Sequence, residues 1–173
     1  MPGDPAPVRV NRAPVLTLWA TVVAERMGHP PDLALSLGSV VASTAARAKA
    51  RRLGIIADAP RTAREPARRD TVRLLGRDVA LTHDADGVVL ADAGEGTPAP
   101  AAPIAAYLAK AFGPRLAEVR AAMQELAERH LPEDLDRVGF RLYEHFRPEV
   151  PADVRGWGAK GTLDLAKLRN ARP

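Results

Sequence analysis

Apolar residues at Val15, Leu18, Trp19, Val22, Val23 and Met27 recur in three- and four-residue steps, the spacing of one helix face. Pro14 suits the first turn of that helix. Gly28 closes it, and His29-Pro30-Pro31 forbids continuation. Asp32 is placed to cap a second helix. Its buried stripe is expected at Leu33, Leu37, Val40, Val41, Thr44, Ala45 and Ala48, with the helix running to about Leu53 and stopping at Gly54. Gly38 lies inside this pattern and is a candidate break into two shorter helices.

The period then changes from helical to alternating. Thr71–Leu75 and Asp78–His83 read as strands joined across Gly76-Arg77, and Val88–Ala91 as a third strand after the Asp86-Gly87 turn. Residues 92–103, DAGEGTPAPAAP, have the composition of a linker. Helical spacing returns over Pro103–Phe112, over Pro114–Leu131 (Leu116, Val119, Met123, Leu126) and over Pro132–Arg147 (Leu135, Val138, Leu142, Tyr143, Phe146). Residues 1–10 read as a loose Pro-rich arm and 148–161 as irregular, and Thr162 is expected to cap a last helix that docks Leu163, Leu165 and Leu168. The fold class is α+β and mostly α: N-terminal helices, a small antiparallel β-meander, then a C-terminal helical bundle. Residues 1–91 and 104–173 are the two regions, separated by 92–103 or joined in one compact domain. The expected core is Trp19, Val22, Val23, Leu37, Val41, Leu126, Leu142 and Phe146.

Composition removes several chemistries. The chain has no cysteine, so disulfides, thiolate nucleophiles, iron–sulfur clusters and Cys-ligated zinc are excluded. The start lacks the layout of a signal peptide, and no apolar run approaches the roughly 18 residues that span a bilayer. A cytoplasmic protein with no membrane contact is expected. No Gly-rich phosphate loop, Walker lysine or nucleophile elbow is present. None of His29, His83, His130 and His145 has a second ligand at metal-binding spacing, so neither a metal nor a cofactor is expected, and no catalytic residue is assigned.

Charge changes the picture most. Residues 47–77 hold ten cationic and three anionic side chains, a net of +7 against +4 for the whole chain. A GC-rich genome explains abundant Arg and Ala but not the concentration of charge in one block. Clustered cations release phosphate counterions on binding, which points to duplex DNA as a partner. The candidate nucleic-acid-binding residues are Arg47, Lys49, Arg51, Arg52, Arg68, Arg69, Arg73 and Arg77. One frame for them is a winged helix-turn-helix, with Ser43–Leu53 as recognition helix and the β-hairpin as wing. Its competitor is one long helix with a solvated basic end, where cations favour the C-terminal dipole. Ala42, Ser43, Ala45, Ala46 and Ala48 would also let a second copy approach closely, which makes the first two helices a candidate homodimer unit.

Two further segments bear on function. His83 lies beside Asp84 and Asp86 at a hairpin tip, where a polar turn competes with acid–base chemistry. In VRGWGAKG, residues 154–161, three glycines flank Trp157 and Lys160; Arg155, Trp157 and Lys160 form a candidate anion or partner site, against the plainer role of pinning the last helix. In this segment, and in RVNRAPVLTLWATVVAERMGHPPDLALSLGSVVA, the chain resembles a bacterial family of conserved proteins of unassigned function. The resemblance implies no activity, cofactor or catalytic residue, and the Arg-rich stretch 56–70 stands as an insertion in it. The expectation is a non-enzymatic nucleic-acid-binding or regulatory protein acting through its basic block. A helical protein–protein interaction module is the first alternative. An enzyme or small-anion binder using the His83 hairpin or the Trp157 segment is the second.

Overall fold

The computed structural model describes residues 6–52 (backbone alone at 49–52), 54, 70–150 and 160–173. In chain order its elements are β1 (Val8–Val10), α1 (Arg12–Arg26), α2 (Pro31–Arg52), β2 (Thr71–Leu74), β3 (Arg77–His83) and β4 (Val89–Ala91). Then follow α3 (Ala101–Phe112), a short 3-10 turn at Gly113–Arg115, α4 (Leu116–Glu128), α5 (Pro132–Phe146), β5 (Gly161–Leu163) and α6 (Leu165–Arg169). The fold is mostly helical α+β, with the antiparallel sheet β2-β3-β4 set between the N-terminal and C-terminal helices in sequence.

Helix α1 is the centre of the molecule. Every residue from Pro14 to Ala24 is buried, so this helix has no solvent face. Such all-round burial matches a nearly unbroken apolar run. Thr17 and Thr21 are its polar exceptions. Their hydroxyls donate to the carbonyls of Ala13 and Thr17 at 2.9 and 2.8 Å, so burial leaves no donor unpaired. Around α1 pack α2, α4 and α5, and one hydrophobic cluster takes residues from both sides of the 92–103 segment. The eight expected core residues are all buried, none more than 2% exposed. Replacing Leu142 with Ala is expected to lower stability by about 2–5 kcal/mol in urea denaturation. A loss under about 0.5 kcal/mol would place Leu142 at the surface.

Helix α2 runs unbroken through Gly38, so the two-helix alternative is corrected. The glycine is there for proximity, because an added Cβ would lie against Thr21 Oγ1 and 2.7 Å from the Thr17 carbonyl oxygen. Thr44, expected in the buried stripe, is exposed, whereas Ser36 is fully buried. The Ser36 hydroxyl donates to the Ala99 carbonyl at 2.7 Å and accepts from the Ala91 N–H at 2.8 Å. That one side chain therefore ties α2 to β4 and to the start of α3, with both its hydrogen-bonding roles filled. Ahead of it, Asp92 and Pro98 form a β-bridge, and the Asp92 carboxylate accepts from the Gly94 and Gly96 N–H groups.

The β2–β3 hairpin turns at Leu75-Gly76, one residue earlier than expected, with Leu74 opposite Arg77. Both turn residues have positive φ, 51° and 76°, which suits the twist of a two-residue hairpin. Leucine disfavours that geometry. Here the residue is 4% exposed and reaches α5, where Gly139 has no Cβ to block it. Asp136, one turn earlier on α5, accepts from the Gly76 N–H and from Arg73 Nε, both at 2.8 Å. The hairpin tip is thus docked on α5.

Two expectations at the chain's extremities need correction. Val8–Val10, expected to be a loose arm, is a strand that pairs antiparallel with β5, Val8 facing Leu163. Thr162, expected to cap the last helix, sits in the middle of β5 with its backbone N–H and C=O both bonded to Glu149. The cap is Asp164, whose carboxylate accepts from the Ala166 and Lys167 N–H groups.

Candidate functional site

Helix α2 leaves the core part-way along its length. Ala42 is buried; from Ser43 to Ala48 each residue is exposed or half-buried. The cause is register. Helices α1 and α2 are joined by the short Met27–Pro30 turn, and Gly38 lies level with Thr17 and Thr21. Counting at about 1.5 Å per residue sets Thr44 and Ala45 level with the start of α1. The remaining turns of α2 extend past it, because α2 has 22 residues and α1 has 15.

Those turns carry Arg47, Lys49, Arg51 and Arg52, and no carboxylate occurs in the sequence between Asp32 and Asp58. No acidic residue stands three or four positions away to neutralise the helix end. Arg47 is exposed and has no ion-pair partner among the described residues. The side chains of Lys49, Arg51 and Arg52, and Arg68 and Arg69 entirely, lie outside the described residues.

Arg73 and Arg77 have a different setting. Arg73 forms ion pairs with Asp136 at 2.8 Å and Asp78 at 3.5 Å, and the Asp136 hydrogen bond chiefly raises its pKa above the ordinary value. Its charge is committed to holding the hairpin on α5. Arg77 is half-buried at the same tip. With this tip docked and α2 unbroken, the helix-turn-helix frame with a free wing does not describe the molecule. The other hairpin tip bears Asp84 and Asp86, which repel phosphate.

The Asp84 carboxylate accepts from the Asp86 and Val88 N–H groups, both at 2.9 Å, so it shapes the turn beside His83. Among the described residues no group of three or more His, Asp or Glu side chains is arranged to hold a metal ion. A shallow groove of about 430 Å³ is lined by Pro98, Ala99, Ile104 and Tyr107, and among the described residues Tyr107 is the ionisable one in its lining. No helix among the described residues is long and apolar enough to cross a membrane. Of the Trp157 segment only Lys160 is described; it is exposed immediately before β5, and Arg155 and Trp157 lie outside the described residues.

Sequence reasoning missed a second basic feature, at the start of α1. Arg12 Nε donates to the Pro148 carbonyl at 2.9 Å, and the Tyr143 hydroxyl donates to the Arg12 carbonyl at 3.4 Å. Burial, reinforced by the neighbouring Arg147 charge, lowers the Arg12 pKa from its ordinary value. Burial pushes the Tyr143 phenol up to about 12. Arg147 is exposed, and neither it nor Arg12 pairs with a carboxylate among the described residues. The only signal in the sequence was Arg12 ahead of Pro14 and Arg147 ahead of Pro148, residues too far apart to associate by spacing.

Comparison of the chain with protein-family models, with curated proteins and with solved structures gives no match.

Proposed function

We propose that this is a non-enzymatic, cytoplasmic nucleic-acid-binding or regulatory protein that holds duplex DNA through the C-terminal turns of α2. One observation carries the reading: α2 outruns its partner helix where the sequence places four cations within six residues and no anion. A helix end of that kind is of a size to enter a major groove or lie along phosphates, and its charge is relieved by a polyanion. Arg47, Lys49, Arg51 and Arg52 make up this site. Arg73 is omitted because Asp136 and Asp78 already balance it.

Neutralising Z phosphates gives a log K against log salt slope of about −0.9Z on duplex DNA. Changing Arg51 and Arg52 together to Ala is therefore expected to weaken binding and flatten that slope by up to about 2. Duplex binding by both proteins across a salt series measures this. Absence of wild-type binding at about 50 mM salt, where the electrostatic contribution is strong, would overturn the proposal. Equal salt sensitivity in the double variant would remove these two residues from the site. A stoichiometric protein partner without any duplex shift would favour the helical interaction module instead.

A further inference from the structure

We propose that the groove beside α3 is a self-association surface, across which a second copy of this chain packs its own α3 antiparallel about a two-fold axis. The proposal goes beyond the nucleic-acid reading and does not rest on it.

Helix α3 has a solvent face with little polarity. Of its exposed side chains from Ala102 to Lys110, Lys110 alone is charged. The exposed face of α5 shows the ordinary pattern, with Glu133, Arg137, Arg141 and Glu144. An outer face this poor in charge is the kind that another surface covers. The groove extends the same face. Pro98, Pro100, Pro103, Ile104 and Tyr107 line it beside Ser39 of α2, and among the described residues no charged side chain enters its lining. Tyr107 is 45% exposed there. Tyrosine is enriched at interfaces because its ring is apolar while its hydroxyl can remain hydrated.

Charge identifies the occupant. Ahead of α3 the chain makes a tight turn, in which the Ala93 N–H donates to the Thr97 carbonyl at 2.8 Å and the Thr97 N–H to the Gly94 carbonyl at 3.0 Å. Ala93 and Thr97 line one end of the groove, so Glu95, at the tip of the turn between them, is an exposed carboxylate at that end. Lys110 is exposed about one turn of α3 beyond Tyr107, past the other end. Neither has an ion-pair partner among the described residues. A surface with an anionic end, an apolar middle and a cationic end complements itself when turned by half a rotation. Antiparallel pairing of two α3 helices sets each Tyr107 against the facing groove and brings Lys110 of each copy toward Glu95 of the other. Both ion pairs form together, as the two halves of an isologous contact do.

The experiment is sedimentation equilibrium on the full chain from about 1 μM to about 1 mM, the range of weak, small interfaces. Wild type is expected to pass from monomer to dimer within it, and Tyr107→Asp to stay monomeric. Lys110→Glu and Glu95→Lys each place two like-charge pairs in a homodimer, and each is expected to weaken association at least about tenfold. An equimolar mixture of these two charge-reversal variants is the discriminating sample. In the mixed dimer both pairs are again of opposite sign, so association is expected to return to wild-type strength. That recovery also shows that both variants are folded.

A wild type that is monomeric throughout overturns the proposal and leaves the groove to a different partner. A dimer indifferent to Tyr107→Asp overturns it as well, and moves the contact elsewhere, such as to residues 42–48 of α2. A mixture no tighter than its separate components overturns the antiparallel pairing, and the proposal with it.

Discussion

Gly38→Val is expected to cost about 3 kcal/mol or more in urea denaturation. Overpacking in a filled core typically costs 1–3 kcal/mol, occasionally more. Position 38 belongs at the upper end because the obstacles include backbone. An added Cβ meets the Thr17 carbonyl oxygen at 2.7 Å and the Thr21 nitrogen at 3.0 Å. These atoms cannot move unless α1 moves, and α1 is buried on every side. The helix-propensity gain on replacing glycine with the β-branched valine, a few tenths of a kcal/mol or about 0.5 at most, offsets only a small part of this. Gly139→Ala is the informative comparison. Its Cβ would also collide, but with the tip of the Leu75 side chain, which can rotate. A loss of about 1 kcal/mol or less is expected there. If Gly38→Val lost as little as Gly139→Ala, the close approach of α1 and α2 would be wrong.

Trp19→Ala is expected to cost about 3–5 kcal/mol. The indole is fully buried and meets Phe146 edge-on, with ring centroids 5.4 Å apart. Its N–H donates to the Gly139 carbonyl at 2.9 Å, so Trp19 joins α1 to the same stretch of α5 that receives the hairpin tip. Trp19→Phe separates the two contributions. It keeps an aromatic ring but removes the indole N–H from the Gly139 carbonyl and leaves part of the indole volume unfilled, and a loss of about 1–3 kcal/mol is expected. Urea denaturation of both variants gives the comparison. A cost below about 1 kcal/mol for Trp19→Ala would place this ring outside the core.

Local pattern carried much of the architecture. Helical spacing located α1, α2, α4 and α5, alternation located the meander, and the eight core residues are buried. These features depend on which face of a local element is apolar, and a sequence displays that directly. What it concealed are pairings between distant residues. Nothing at Ser36 announces that one hydroxyl will join Ala91 to Ala99, and nothing at Asp136 announces a hairpin tip. Val8–Val10 and Gly161–Leu163 are each too short to show alternation, and each is a strand only because the other exists. At the candidate site the block of cations was legible as a block. Its division was not: Arg73 turns to Asp136, whereas α2 carries its own cations beyond α1. Arg12 and Arg147 were not associated at all, because their proximity comes from the packing of α1 against α5.

The β1–β5 ladder bears on the order in which the chain can fold during synthesis. The α1–α2 hairpin relies on contacts between neighbouring segments and is available early. Strand β1 emerges before either helix, yet its ladder partners are Gly161, Thr162 and Leu163. While the intervening chain is made, the edge of β1 has no native strand to pair with. Val8 and Val10, both buried in the finished fold, are then apolar surface in need of cover. A nascent chain halted before Gly161 therefore presents an open edge at β1, and the arrival of Gly161–Leu163 is what closes it.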